Sequence, residues 1–180
     1  MRKLFLTLGI LCLAFQSAEG QNKPVAGTVV KDFGKFYPVE NPGFKTDYTQ
    51  NFDAVIDVQE ASPKPNEIHP LLNTAARYLN MHTWAGVTLK DLHVALVVHG
   101  GASDAILTDE AYQAKHGMDN PNTLLIEQLN QAGVQLILCG QTAGARDITD
   151  QNRNAHVQVA LSALTALVQL QNQGYQLIEF

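Results

Sequence analysis

Residues 93–101 read His-Val-Ala-Leu-Val-Val-His-Gly-Gly. The nearly continuous apolar run, with no polar alternation, predicts a strand covered on both faces, as in a parallel sheet. Gly100 and Gly101 end it. Residues 134–140, Val-Gln-Leu-Ile-Leu-Cys-Gly, repeat the arrangement with Cys139 in the last strand position. Ala54–Val58 is a short β-branched run and Tyr175–Phe180 a closing one. Helical spacing fills the intervals. Ile68, Leu71, Leu72, Ala75 and Leu79 mark one helix, which tolerates Pro70 in its first turn and stops at Gly86. Thr108–His116 is a short second helix. Asn120-Pro121 reads as a cap followed by proline at the first helical position, opening a helix that ends at Gly133. Thr149 or Asp150 is expected to cap a last helix whose apolar face is Val157, Ala160, Leu161, Leu164, Leu167 and Val168, ended by Gly174. That face is core, or core plus a subunit interface. Strands alternating with helices imply parallel pairing through right-handed crossovers. The expected fold is α/β, a three-layer open and mainly parallel sheet of at least four strands.

Outward from this domain, placed at 53–180, the chain changes character. Residues 21–52 carry Pro24, Pro38, Pro42, Gly27, Gly34 and Gly43, which predicts an irregular arm with a short extended piece at Gly27–Val30. Before it, Arg2 and Lys3 precede an apolar run from Leu4 to Phe15, then Ala18-Glu19-Gly20. That order predicts a signal peptide over 1–20 and an exported protein, periplasmic or secreted. The run is too short to span a bilayer, and no later segment is longer, so no membrane span is expected. Leu11 before Cys12 does not fit a lipoprotein.

The chain has 180 residues, 46% hydrophobic and 16% charged, with 12 basic against 17 acidic residues. This excludes wholesale disorder, and the net charge of −5 argues against nucleic acid as a partner. Two cysteines cannot build a disulfide scaffold. Cys12 leaves with the signal, so Cys139 is the one cysteine of the mature chain.

Ligands of open α/β sheets bind beyond the carboxyl ends of the strands. His99 and Cys139 end two of them, and the topology is expected to bring His69, His116, Asn120, Arg146 and His156 to the same edge. Cys139 has two readings. It is a nucleophile, its thiolate favoured by a helix N-terminus or by His99 or Arg146, with Gly140 leaving room for substrate. Alternatively it is a buried core cysteine. His-Gly-Gly resembles the oxyanion loop of lipases, but no Gly-x-Ser-x-Gly exists in the chain, which excludes a serine esterase. His99, His116, His156 and Cys139 are suitable zinc or copper ligands by type. No tight ligand spacing supports a metal, and none is expected. His93 lies about 20 Å along the strand from His99. The glycines form no phosphate loop.

The strand Val94–His99 ending in His-Gly is followed by Asn120-Pro121-Asn122, by Gly133-Val134 and by Leu136-Ile137-Leu138-Cys139-Gly140-Gln141-Thr142-Ala143. The chain closes on Gln173-Gly174-Tyr175-Gln176-Leu177-Ile178. In this order the set resembles the DsrE/DsrF-like family of sulfur-relay proteins over roughly residues 53–180. The resemblance implies a flavodoxin-like layered fold and homo- or hetero-oligomers. It further implies a persulfide carried on a cysteine, a role only Cys139 can take in the mature chain. His99 would assist catalysis, and Gly100, Asn120, Gly140, Gln141 and Arg146 would line the substrate site. No cofactor is needed. The partner would be a small sulfur donor or an acceptor protein. The alternative is a non-enzymatic, oligomeric small-ligand or metal-binding protein of the same fold.

Overall fold

The apolar runs pair as β1 (Phe52–Val58), β2 (Leu92–Val98), β3 (Gln135–Cys139), β4 (Val157–Ala160) and β5 (Gln176–Ile178). This arrangement comes from a computed structural model that describes residues 23–179. The expected signal peptide at 1–20 and Phe180 lie outside the described residues. All pairs are parallel, in the order β4-β3-β2-β1-β5. The helices are α1 (Pro70–Trp84), α2 (Asp109–His116), α3 (Thr123–Gln131), α4 (Gly140–Ala145) and α5 (Ala163–Asn172). A 3-10 turn over Gly100–Ile106 follows β2.

Side-chain alternation along the strands sorts the core into two layers. On one face Ile56, Val58, Leu96, Val98, Leu136 and Leu138 pack with Leu72 and Leu79 of α1, Leu125 and Leu129 of α3, and Ala143 of α4. On the other, Val55, Ala95, Val97, Ile137 and Cys139 pack against Ala163, Ala166 and Leu170 of α5. The sheet is therefore covered on both faces, as its uninterrupted apolar strands require.

Three expectations change. The last helix begins at Ala163, and Val157–Ala160 is strand β4, in register with Leu136–Cys139. Val157 and Val159 are β-branched, and an unpaired edge of β3 outweighs the helical spacing they share with later leucines. Ser162 accepts from the Thr165 N–H at 3.0 Å and caps α5, in place of Thr149 or Asp150. The helix expected from Asn120-Pro121 starts later, with Asn122 at its N-cap. Finally, α4 follows β3 directly.

The arm is irregular, as its prolines and glycines predict. Its paired residues are Val25 and Phe36, joined as an isolated antiparallel bridge, while Gly27–Val30 forms no strand. Asn80 of α1 holds it. The buried Asn80 amide accepts from the N–H groups of Val29 (3.2 Å) and Val30 (2.9 Å) and donates to the carbonyls of Val30 (2.9 Å) and Phe33 (3.0 Å). Gly34, at φ +64°, approaches α1 so closely that a Cβ would lie 2.3 Å from the Ala76 carbonyl carbon. Replacing Asn80 by alanine strands two arm donors without partners. We expect it to cost about 1–3 kcal/mol in urea unfolding and to open residues 25–36 to limited proteolysis.

Candidate functional site

The carboxyl ends of β1, β2 and β3 lie side by side. Asp57 pairs in register with Val97, and Val98 with Leu138. Val55, Val97 and Ile137 face α5. Two residues further along each strand, alternation puts Asp57, His99 and Cys139 on that same face. His99 keeps extended backbone, with φ −154° and ψ 179°, so the alternation carries through it. His99 and Cys139 thus stand side by side at adjacent strand ends, and Asp57, in register with Val97, lies one alternation step before them on the same face.

Cys139 is 6% exposed. It is the last residue of β3 and the residue before α4, and Ala163 at the start of α5 lies against it. Burial, the largest influence, pushes its thiol up. The backbone N–H groups of Thr142 and Ala163, the Thr142 hydroxyl and the Gln141 N–H together outweigh burial and leave the thiol below its ordinary value. The donors converge on the sulfur loosely, since Cys139 makes no strict side-chain capping hydrogen bond. Backbone groups at two helix starts therefore favour the thiolate, and neither His99 nor Arg146 is among the causes.

Thr142 and Asp57 are the residues that sequence reasoning missed. The Thr142 hydroxyl accepts from the Gly100 N–H at 3.2 Å and so ties the end of β2 to the cysteine helix. Gly100 makes this turn at φ +55°, a conformation that favours glycine. Asp57 Oδ1 lies 2.8 Å from His99 Nε2, and both side chains are about one-quarter exposed. The Asp57-Val58 end of an apolar strand could have signalled it, since a carboxylate among core residues needs a partner.

The remaining expected site residues have different surroundings. A Cβ on Gly140 would lie 2.5 Å from the Ala160 carbonyl oxygen, so the room it leaves is filled by the end of β4. Gln141 is exposed and donates to the Leu161 carbonyl at 3.1 Å. Asn120 is buried, its amide donating to the carbonyls of Ala105 (3.0 Å) and Leu107 (2.8 Å), and it clamps the turn after β2. Arg146 is the exposed C-cap of α4, at the other end of that helix from Cys139.

His69 caps α1, with Nε2 donating to the Glu60 carbonyl at 2.8 Å and Nδ1 accepting from the Leu71 N–H. Burial pushes its pKa down, against that carbonyl bond, so the ring is a neutral structural group. His116 pairs with Asp104 at 3.0 Å. His156 precedes β4 and so lies at the opposite edge of the sheet, a consequence of the strand that replaced the expected helix. Among the described residues no group of three or more His, Cys, Asp or Glu could hold a metal ion. None of their helices is long and apolar enough to cross a membrane.

Beside Asp57, a cleft of about 330 Å³ is lined by Gln59, Glu60, Leu71 and Glu179. A larger groove of about 660 Å³ lies between the arm and α1, on the far face of the sheet from Cys139.

No curated protein sequence matches this chain. Among solved structures, the protein of unknown function MTH1491 from Methanobacterium thermoautotrophicum superposes with a TM-score of 0.54 at 15% identity, over 71% of this chain and 98% of that one. At that identity the likeness is one of fold. The family model of the DsrE/DsrF-like family matches residues 53–180, and the chain belongs to that family.

Proposed function

We propose that this protein is an exported sulfane-sulfur carrier that holds the transferred sulfur as a persulfide on Cys139. The observation that carries this reading is the thiol itself, set at a strand end and held below its ordinary value by converging N–H donors. A thiolate is the form that attacks sulfur. In the step, the Cys139 thiolate bonds to the outer sulfur of a persulfide R–S–SH. The R–S to sulfur bond breaks, and its electron pair leaves with the R–S⁻ thiolate. No external oxidant or reductant is consumed. The same N–H donors that favour the thiolate suit the terminal sulfur anion that replaces it. The donor or acceptor is a small sulfur compound or a protein.

The second part of the proposal is a homo-oligomer. Leu161, Leu164 and Val168 are 73%, 77% and 58% exposed on and beside α5. No residue from Val157 to Ile178 is charged. An uncharged apolar face of this kind suits a subunit interface. Sedimentation at micromolar concentration tests it against a monomer.

Intact mass before and after exposure to a polysulfide tests the carrier. Wild type should gain one sulfur atom, removable by reductant, and Cys139→Ser should gain none. Loading retained in Cys139→Ser, or absent from wild type, overturns the reading. The same spectrum reports whether export has removed residues 1–20.

A further inference from the structure

The persulfide reading leaves a proton unassigned. The thiolate of Cys139 needs no base, because backbone donors favour it, and no hydrogen bond joins His99 to the sulfur among the described residues. The thiol that departs from the donor, however, leaves as R–S⁻, and its departure is faster when a proton reaches the sulfur as the S–S bond breaks. The His99–Asp57 pair, on the same face of the sheet as Cys139 and with His99 at the neighbouring strand end, has the parts for that task. We propose that His99 is the proton donor to the departing sulfur and that Asp57 is its positioning residue.

The geometry supports a directed ring. Ionised Asp57 can only accept, so His99 Nε2 carries the hydrogen of the 2.8 Å bond. His99 Nδ1 has no hydrogen-bond partner among the described residues and is the nitrogen left for substrate. The carboxylate fixes the tautomer and the direction of the ring, as in catalytic arrangements where a third group orients the base. The His99 backbone is itself held, its N–H donating to the Val58 carbonyl at 2.9 Å, so β1 anchors both the ring and its main chain. At about one-quarter exposure each, the two side chains are sheltered yet open to a ligand arriving at the strand ends.

The protonated step balances simply. Cys139–S⁻ and R–S–SH give Cys139–S–SH and R–S⁻, and the imidazolium proton converts R–S⁻ to R–SH. In the reverse direction neutral His99 takes the proton from an incoming acceptor thiol and generates the attacking thiolate. One residue thereby serves loading and unloading.

A built-in control sits at the other end of the same strands. Asp53 Oδ1 lies 2.6 Å from His93 Nδ1, in the second register row of β1 and β2, at the far end of the strands from Cys139. It is the same pair of residue types on the same two strands.

The inference rests on the carrier reading, and the test separates the two. Loading from a small alkyl persulfide is followed by mass against time and pH, in parallel with alkylation of Cys139 by iodoacetamide. His99→Gln should load about a hundredfold more slowly, and Asp57→Asn about tenfold. Asp57→Asn should also move the acid limb of the loading profile. Alkylation rates should be unchanged in both, and Asp53→Asn should behave as wild type throughout. In His99→Ala, added imidazole should restore loading, a rescue that a purely structural role would not give. Wild-type loading with unaltered His99 and Asp57 variants, or loss of alkylation in step with loading, overturns the proton-donor assignment alone. A wild type that takes up no sulfur overturns the carrier reading and this assignment with it.

Discussion

Gly140→Ala is expected to destabilise the protein by about 2–3 kcal/mol, the range for forcing an extra carbon into a packed site. The new Cβ would lie 2.5 Å from the Ala160 carbonyl oxygen and 3.1 Å from that of Leu161. Both are backbone atoms, so no rotamer change relieves the contact. The strain falls on the β3–β4 pair, in which Cys139 and Ala160 are partners. Opening that pair also moves the start of α5 away from the sulfur, and alkylation of Cys139 at neutral pH should slow in the same variant. Gly144, in the same helix, is the control. Nothing lies within 4 Å of its Cβ position, and Gly144→Ala should be neutral or stabilising by up to about 1 kcal/mol. Urea unfolding of the two variants should give shifts of opposite sign. Equal shifts would mean that the close approach of β4 is not what Gly140 serves.

The second large effect is on the ionisation of Cys139. Its iodoacetamide reactivity should reach half its plateau below the pH of an ordinary thiol, because the N–H donors overcome burial. Thr142→Val keeps the backbone donors, removes the hydroxyl and loses the bond to Gly100. The midpoint should move up and the rate at neutral pH fall several-fold. Stability follows by linkage. A depressed folded pKa means that the unfolded chain binds more protons in the window between the folded and ordinary thiol values, so the contribution of Cys139 grows as pH rises through that window. It is fully present above the ordinary value and lost as pH falls through the folded one. Cys139→Ser should remove this slope. An unaltered slope, or a reactivity midpoint above that of an ordinary thiol, would leave burial as the dominant influence.

Much of this was legible in the residues. The apolar run at 93–98 declared β2 to be a strand covered on both faces, and β1 and β3 were legible as strands. The ends of β2 and β3 placed His99 and Cys139 at the edge where parallel sheets bind ligands. The order of the strands was not legible, since it depends on which edges pair across long separations. Val157–Ala160 failed for a local reason. Its apolar residues continue the three-four spacing of the helix behind it, so periodicity alone joins strand to helix. Ser162 three residues before Thr165 was the overlooked punctuation. At the site, Cys139 and His99 were visible as chemistry, but their partners were not. Asp57 meets His99, and Thr142 meets Gly100, across 42 residues of chain. The effect of Thr142 on Cys139 depends on how the first turn of α4 is set, and Gly140 looked like space for a ligand until β4 was found in it.

The position of β5 carries a consequence for how the chain is made. It pairs with β1, joining Ala54 to Gln176, and the chain reaches it only after α5 has crossed the opposite face. Until β5 has emerged, β1 keeps an open edge. A contact this distant in sequence is late to form. The nascent chain is therefore held short of its native state until every earlier element has been made. In the exported carrier proposed above, a closing strand that follows every other element acts as a timer, delaying the commitment to structure until it has emerged.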